Sequence, residues 1–147
     1  MVGWKPRTSI TCKLLECYEH APGLRLPRPV LKAKLYNLAL EPLGEVSLAI
    51  DTGFEGSVMV PRDVYDHFLV AELPRSLWRA YKTLTGVVEM RVARALLEVA
   101  GKRIEVYVES PVYGGGRYLV GREVLNKLTL LLDGVHGRTC IVGGWGD

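Results

Sequence analysis

Cysteine, histidine and aromatic residues are scarce in this 147-residue chain, which contains three cysteines, three histidines and 8% aromatic residues. The chain also lacks any stretch approaching the about 20 consecutive apolar residues that a membrane-spanning helix requires. Its first residues include Lys5 and Arg7 and lack the apolar core of a secretory signal. We therefore expect a cytoplasmic protein that makes no contact with a membrane.

The odd number of cysteines does not suggest a disulfide framework, and no second cysteine pair completes a tetrahedral zinc site. Because cysteine is among the most buried residue types, we interpret Cys12, Cys17 and Cys140 as buried, reduced thiols. The histidines lie apart and belong to no metal-ligand or nucleophile motif; they are His20, His67 and His136. The sequence predicts no metal site and no histidine-based catalysis.

Positive charge is concentrated in the first quarter of the sequence. Residues 1–34 contain seven basic and two acidic residues, a net charge of +5, whereas the whole chain carries +3. Such a segment could contact nucleic acid. No aromatic or arginine cluster accompanies it, which favours solvent-facing residues on strands and argues against nucleic acid as a partner.

The length fits one domain, and the dominant hydrophobic period of two predicts strands. Strands are predicted at residues 31–35, 46–50, 58–60, 87–99, 104–108 and 129–132, with short helices at 61–68 and 122–128. Residues 46–50 are largely apolar, which is typical of a strand buried on both faces. Gly101-Lys102 is predicted to be a tight turn. This pattern indicates an all-β, barrel-like domain.

The tripeptide Asp51-Thr52-Gly53 follows the apolar segment 46–50 and precedes the predicted strand 58–60. In isolation it is a weak signal. In this context a strand delivers the carboxylate, and Gly53 permits a tight turn with backbone N–H groups nearby. A carboxylate held in this way at a strand end is suited to acid–base catalysis on a water molecule.

Two segments resemble the signatures of retroviral-type aspartic proteases, the retropepsin-like family. Leu-Ala-Ile-Asp-Thr-Gly-Phe-Glu-Gly-Ser-Val, residues 48–58, is similar to the catalytic loop of that family and to its small prokaryotic members with Asp-Thr-Gly-Phe. Tyr-Leu-Val-Gly-Arg-Glu-Val-Leu, residues 118–125, resembles the second signature. The resemblance covers about residues 30–134 and implies a retropepsin-like closed barrel with one or two short helices and one lobe per chain.

Aspartic proteases need two carboxylates that share one proton, and this chain has a single Asp-Thr-Gly. Asp133-Gly134 lacks the middle hydroxyl residue. The resemblance therefore implies a homodimer in which Asp51 faces Asp51 of a partner chain. It implies an endopeptidase that hydrolyses peptide bonds of a peptide or protein substrate and needs no metal or organic cofactor.

The resemblance also assigns supporting roles around Asp51. Thr52 would hydrogen-bond the loop of the partner chain, or would only satisfy its own turn. Gly53 would let the substrate backbone approach, or is only a turn glycine. Gly121 would pack close beneath the catalytic loop, or only ends a strand before a helix. Glu55 would pair with Arg122, a pair that contributes a few kcal/mol only if it is partly buried.

The substrate-covering flap of the family is a glycine-bearing hairpin, and the candidate here is residues 81–88, with Thr85 and Gly86 at or near the tip. This segment has fewer glycines than the retroviral pattern. Phe54, Met59 and Val120 lie near the motifs, and we interpret them as core residues rather than pocket walls.

We expect two regions: residues 1–29, an N-terminal extension of unassigned role, and residues 30–147, the retropepsin-like domain. The leading hypothesis is a homodimeric aspartic endopeptidase. The alternative is a catalytically inactive dimer of the same fold that binds a peptide or protein. In a third and weaker alternative, the basic N-terminal segment contacts nucleic acid.

Overall fold

The computed structural model describes residues 13–143, and these residues are mostly β-structure. The strands are β1 Lys13–Glu19, β2 Val30–Tyr36, β3 Pro42–Ile50, β4 Val58–Met59, β5 Arg79–Thr83, β6 Gly86–Val99, β7 Lys102–Pro111, β8 Leu119–Val120, β9 Leu130–Asp133 and β10 Arg138–Gly143. The α-helices are α1 Arg62–Tyr65 and α2 Arg122–Leu125, and 3₁₀ segments cover Asp66–Ala71 and Arg75–Leu77. The predicted all-β class with two short helices is confirmed.

The main sheet has seven strands in the order β2-β3-β8-β4-β7-β6-β5. Strand β2 also pairs with β6, with Lys34 opposite Glu98. The six strands β2, β3, β8, β4, β7 and β6 therefore form a closed ring of pairings, and β5 extends from β6. Side chains that point inward are apolar and form the core; the largest fully buried ones include Leu31, Leu35, Leu48, Leu97 and Val108. Alternating inward and outward residues therefore build one core from distant segments.

Strand β3 is buried on one face rather than both. Val46 and Leu48 are buried, whereas Ser47 between them is exposed. The prediction of a strand buried on both faces is wrong because β3 lies in an antiparallel pair with β2, and such a sheet packs one face on the core.

The hairpin between β6 and β7 turns at Ala100 and Gly101, one residue earlier than predicted. Both residues have positive φ, 49° and 75°, the pattern of a type I′ turn. Gly101 suits this conformation, and Ala100 adopts it because the long β6–β7 ladder fixes the register on both sides.

The two ends of the described chain meet in a separate three-stranded sheet of order β1-β10-β9. Cys17 and Cys140 face each other across β1 and β10 and form a disulfide bond. The interpretation of these residues as reduced thiols is therefore wrong, and Cys17 is exposed rather than buried. Their separation of 123 residues hides the pairing in the sequence. Cys12 lies outside the described residues.

Part of the segment interpreted as an N-terminal extension packs on the domain. Residues 13–19 form β1, which covers one edge of β10. Tyr18 from this strand is buried in the main core cluster. The boundary between residues 29 and 30 remains a prediction. Within residues 13–143, no helix is long and apolar enough to cross a membrane.

Candidate active site

Parallel pairing of β3 with β8 brings the two sequence motifs together. Ile50 lies opposite Val120, and the Asp51 N–H donates to the Val120 carbonyl oxygen at 3.0 Å. Asp51 and Gly121 are separated by 70 positions in the sequence. They nevertheless follow the ends of two adjacent parallel strands, at the same end of the sheet. This topology places Asp51 directly after the end of β3, next to the end of β8.

The loop after β3 holds the Asp51 side chain in a tight turn. The Gly53 N–H donates to Asp51 Oδ1 at 3.0 Å, and the Phe54 N–H donates to the Asp51 carbonyl oxygen at 3.2 Å. The Asp51 side chain thus mimics a backbone turn and is fixed in direction. Thr52 and Gly53 are exposed on the same loop, and the predicted contact of Thr52 with a partner chain stays a prediction.

Backbone donors at the start of α2 anchor the other side of this loop. The Gly121 N–H donates to the Ser57 carbonyl oxygen at 2.8 Å. The Arg122 N–H donates to the Phe54 carbonyl at 2.8 Å, and the Glu123 N–H donates to the Gly56 carbonyl at 3.1 Å. The first N–H groups of a helix have no partner within the helix, and here they donate hydrogen bonds to carbonyl groups of the Asp51 loop. The loop and the start of α2 are therefore held together.

Gly121 lies directly beneath the Asp51 loop, as the resemblance implied. A Cβ atom at this position would lie 2.7 Å from the Phe54 carbonyl oxygen and 2.6 Å from Phe54 Cδ2, and it would overlap the Gly56 carbonyl oxygen. Two of these neighbours are backbone atoms, which cannot move aside as a flexible side chain can. Glycine is required here for close packing rather than for an unusual φ.

Replacing Gly121 with alanine should lower the free energy of unfolding by about 2–3 kcal/mol, because the added methyl overpacks the loop. Urea unfolding followed by circular dichroism measures this change. Gly134→Ala is the matched control, since a Cβ there meets nothing within 4 Å. Equal unfolding midpoints for the two variants would contradict the close packing.

Glu55 and Arg122 form an ion pair, with Arg122 Nη2 2.9 Å from Glu55 Oε1. The pair joins the Asp51 loop to the first turn of α2. Both side chains are exposed, 45% for Arg122 and 74% for Glu55. In a single chain the pair is therefore open to solvent, where ion pairs contribute less than about 1 kcal/mol.

We expect Arg122→Ala to change the thermal stability of the isolated chain by less than about 1 kcal/mol. Differential scanning calorimetry, at a concentration where sedimentation shows single chains, measures this change. Arg94→Ala, which breaks the exposed pair to Glu105, is the control. A loss of several kcal/mol in Arg122→Ala alone would show that the pair is effectively buried.

A cleft of about 550 Å³ opens beside Asp51. Its floor is apolar and its rim carries charged residues; the lining residues are Asp51, Gly53, Phe54, Glu55, Met59, Ala80, Tyr81, Lys82, Thr83, Arg117 and Leu119. Phe54 and Leu119 also belong to a small buried cluster with Met90, against which Met59 packs. The core interpretation holds for Val120, which is buried in the main core, whereas Phe54 and Met59 serve both core and cleft.

The β5–β6 hairpin forms the opposite wall of the cleft at the segment predicted as a flap. Leu84 and Thr85 make its tip, and Gly86 begins β6 with a φ of 134°. The Thr83 hydroxyl donates to the Gly86 carbonyl at 2.8 Å and closes the turn. The tip residues Leu84, Thr85 and Gly86 are exposed, and only the β5 side of the hairpin lines the cleft.

An ionic cluster around one buried carboxylate, behind this wall, is the feature that the sequence did not reveal. Glu109 is 0% exposed and accepts hydrogen bonds from the Ser57 N–H at 2.7 Å and from the Tyr81 hydroxyl. Arg79 Nη1 lies 3.3 Å from Glu109 Oε2 and 2.6 Å from Glu123 Oε2. The cluster joins β5, the Asp51 loop and α2.

Burial is the largest influence on the pKa values of Glu109 and Tyr81 in this cluster. It raises the pKa of Glu109 above the ordinary value of 4.5, although the hydrogen bonds from Ser57 and Tyr81 and the charge of Arg79 act in the opposite direction. Burial and the bond to Glu109 also raise the pKa of Tyr81. Tyr81 thus remains a hydroxyl donor throughout the physiological range.

The histidines make contacts away from the cleft. His20 contacts the Thr139 hydroxyl at 3.2 Å, His67 contacts the Glu41 carbonyl at 3.0 Å, and His136 lies 2.8 Å from Asp133. Within residues 13–143, no group of three or more histidine, cysteine or acidic side chains is placed to hold a metal ion.

Comparison with known proteins gives a structural similarity but no sequence match. No protein-family model and no curated protein match this chain. Among solved structures, the chain is similar to the EIAV protease complexed with the inhibitor HBY-793. The two share 16% sequence identity over 73% of this chain and 93% of that chain, with a TM-score of 0.46. At that identity and TM-score, the similarity assigns neither a family nor an activity to this chain.

Proposed function

We propose that this protein is a homodimeric aspartic endopeptidase and that each chain supplies half of the active site. The observation that carries the proposal is the placement of Asp51. Its carboxylate is fixed by the Gly53 N–H at the edge of a cleft, and a β-hairpin forms the opposite wall. The resemblance of residues 48–58 and 118–125 to the two protease signatures supports the same conclusion.

The chemistry requires two carboxyl groups and therefore two chains. An ionised Asp51 takes a proton from water, whose oxygen attacks the peptide carbonyl carbon, while the protonated Asp51 of the partner chain donates a hydrogen bond to the carbonyl oxygen. The tetrahedral intermediate then collapses, the C–N bond breaks, and the leaving nitrogen receives a proton from the dyad. The products are a carboxylate and an amine.

The composition of the cleft indicates the class of peptide. Phe54, Met59 and Leu119 make an apolar floor. Lys82 and Arg117 place positive charge on the rim, whereas the charge of Glu55 on the same rim is paired with Arg122. An extended peptide would lie along β5 and add backbone hydrogen bonds. We expect preferred cleavage beside an apolar side chain that has an acidic residue nearby.

A catalytically inactive peptide-binding dimer is the second candidate. The observation that favours it is the hairpin tip, where Leu84 and Thr85 precede a single glycine, Gly86, whereas the resembled flaps are richer in glycine. A stiffer tip would retain a peptide without closing over it for hydrolysis.

Incubation with a mixed peptide library, read by mass spectrometry, separates the two candidates. The protease proposal predicts internal cleavage that a statine-containing peptide inhibits, with activity rising with the dimer fraction measured by sedimentation equilibrium. Retention of peptides without any cleavage would favour the binding dimer. Cleavage by a species that sediments as a monomer would contradict the shared dyad.

A further inference from the structure

Glu109 is the one carboxylate that is fully buried within residues 13–143, and it does not belong to the proposed dyad. A buried carboxylate is unfavourable unless charged or hydrogen-bonding partners compensate for lost water. Here Oε2 accepts from the Ser57 N–H and faces Arg79 Nη1, and Oε1 accepts from the Tyr81 hydroxyl. The side chain uses both oxygens.

These partners belong to the two walls of the cleft. Tyr81 is a lining residue on β5, and its ring packs edge-on against Phe54 with centroids 5.2 Å apart. Ser57 ends the loop that begins at Asp51. Arg79, also on β5, lies over the Tyr107 ring at 4.7 Å and bridges to Glu123 on α2.

The contact between these walls is tight. A Cβ atom at Gly56 would lie 2.5 Å from Glu109 Oε2 and 2.6 Å from the Tyr81 hydroxyl. The Asp51 loop therefore packs directly on the Glu109–Tyr81 pair.

We propose that Glu109 is a positioning residue that fixes the flap strand β5 at a set distance from the Asp51 loop through Tyr81, Arg79 and Ser57. The inference rests on the proposed function for its effect on peptides, but its effect on the hairpin does not depend on that function. Glu109 does not touch the cleft and takes no part in the chemistry.

The same cluster makes the wall sensitive to pH. The groups that face Glu109 are the Ser57 N–H, the Tyr81 hydroxyl, the Arg79 guanidinium and, through Arg79, Glu123. Burial raises the pKa of Glu109 above 4.5, so the native chain binds this proton more tightly than the unfolded chain does. Stability from this group consequently falls as pH rises from 4.5 to the raised pKa.

The experiment compares the full-length protein with Glu109→Gln, Tyr81→Phe and Glu105→Gln. Glutamine keeps an acceptor for the Ser57 N–H but puts an amide NH₂ where the second oxygen was, and phenylalanine removes only the hydroxyl. Glu105 is the matched control because it lies on the same strand and pairs with Arg94 at the exposed surface. Amide hydrogen exchange of residues 79–88 and the Kd of a statine-containing peptide are measured for each.

We expect Glu109→Gln and Tyr81→Phe to speed exchange in residues 79–88 by about tenfold and to raise the Kd of the statine-containing peptide by about tenfold, against less than twofold for Glu105→Gln. The Kd difference between Glu109→Gln and the parent should shrink as pH falls through the raised pKa of Glu109, because the parent carboxyl then also becomes neutral. A merely structural role would give a difference independent of pH.

The outcomes separate this inference from the proposed function. Parent-like exchange and parent-like Kd in both Glu109→Gln and Tyr81→Phe would overturn it. Faster exchange together with no peptide binding by any protein, including the parent, would retain the positioning role and reject the peptidase. If Glu109→Gln does not fold, Tyr81→Phe decides the result, because that change leaves the carboxylate with Arg79 and the Ser57 N–H.

Discussion

Replacing Asp51 with asparagine should lower kcat/KM for peptide cleavage by at least about 10³-fold, the scale expected when a group that transfers protons is removed. In the parent, the Gly53 N–H donates to Asp51 Oδ1. Asparagine matches the carboxylate in size, and its side-chain oxygen can accept the same hydrogen bond. It cannot ionise, so a dyad of two asparagines has no base to activate water.

Asp133→Asn is the matched control, since Asp133 also precedes a glycine but pairs with His136 and Arg138 at the surface. This variant should cleave peptides as the parent does. Circular dichroism and sedimentation must show that Asp51→Asn keeps its fold and dimer. Parent-like cleavage by a folded Asp51→Asn dimer would rule out Asp51 as the catalyst.

Reduction of the Cys17–Cys140 disulfide should lower the free energy of unfolding by about 4 kcal/mol. The bond closes a loop across a sequence separation of 123 residues, and the entropy that such a cross-link removes from the unfolded chain grows with loop length. Urea unfolding with and without dithiothreitol measures the change.

Cys17→Ser provides the control for that measurement. It removes the exposed partner and leaves the buried Cys140 thiol in place, so its unfolding should not depend on dithiothreitol. Peptide mapping without reductant should recover Cys17 linked to Cys140. Unfolding of the parent that is insensitive to reductant would contradict the bond. A cytoplasmic location stays a prediction, and the bond counts against it because disulfides persist mainly in oxidising compartments.

The sequence indicates the candidate site around Asp51 because the local hydrophobic pattern and the chemistry of the residues point to the same place. The apolar segment before Asp51 indicates the end of a strand, and the resemblance implies that Gly121 packs against the Asp51 loop. The parallel pairing of β3 with β8, which brings these residues together, was not predicted from the sequence. The close packing of Gly121 and the pair of Glu55 with Arg122 follow from the same motifs. The solvent exposure of the Glu55–Arg122 pair cannot be predicted from the motifs, because side-chain burial depends on which elements cover the loop.

The remaining features depend on contacts between distant segments. Residues 104–109 alternate between apolar and polar side chains, which describes a half-buried strand, yet Val108, Glu109 and Ser110 are all buried. Strand β5 and the Asp51 loop cover the outer face of β7 at this point, and neither contact has a local signal. The disulfide was missed for the same reason, since only the β1–β10 register aligns Cys17 with Cys140.

The distance between the Asp51 carboxylates of two associated chains tests the central claim most directly. A crystal structure of the protein with a statine-containing peptide should place the paired oxygens about 3 Å apart, close enough to share a proton, with the peptide hydroxyl between them. Oxygens separated by more than about 6 Å in every dimer present, beyond the reach of one shared hydrogen bond, would contradict the proposed peptidase.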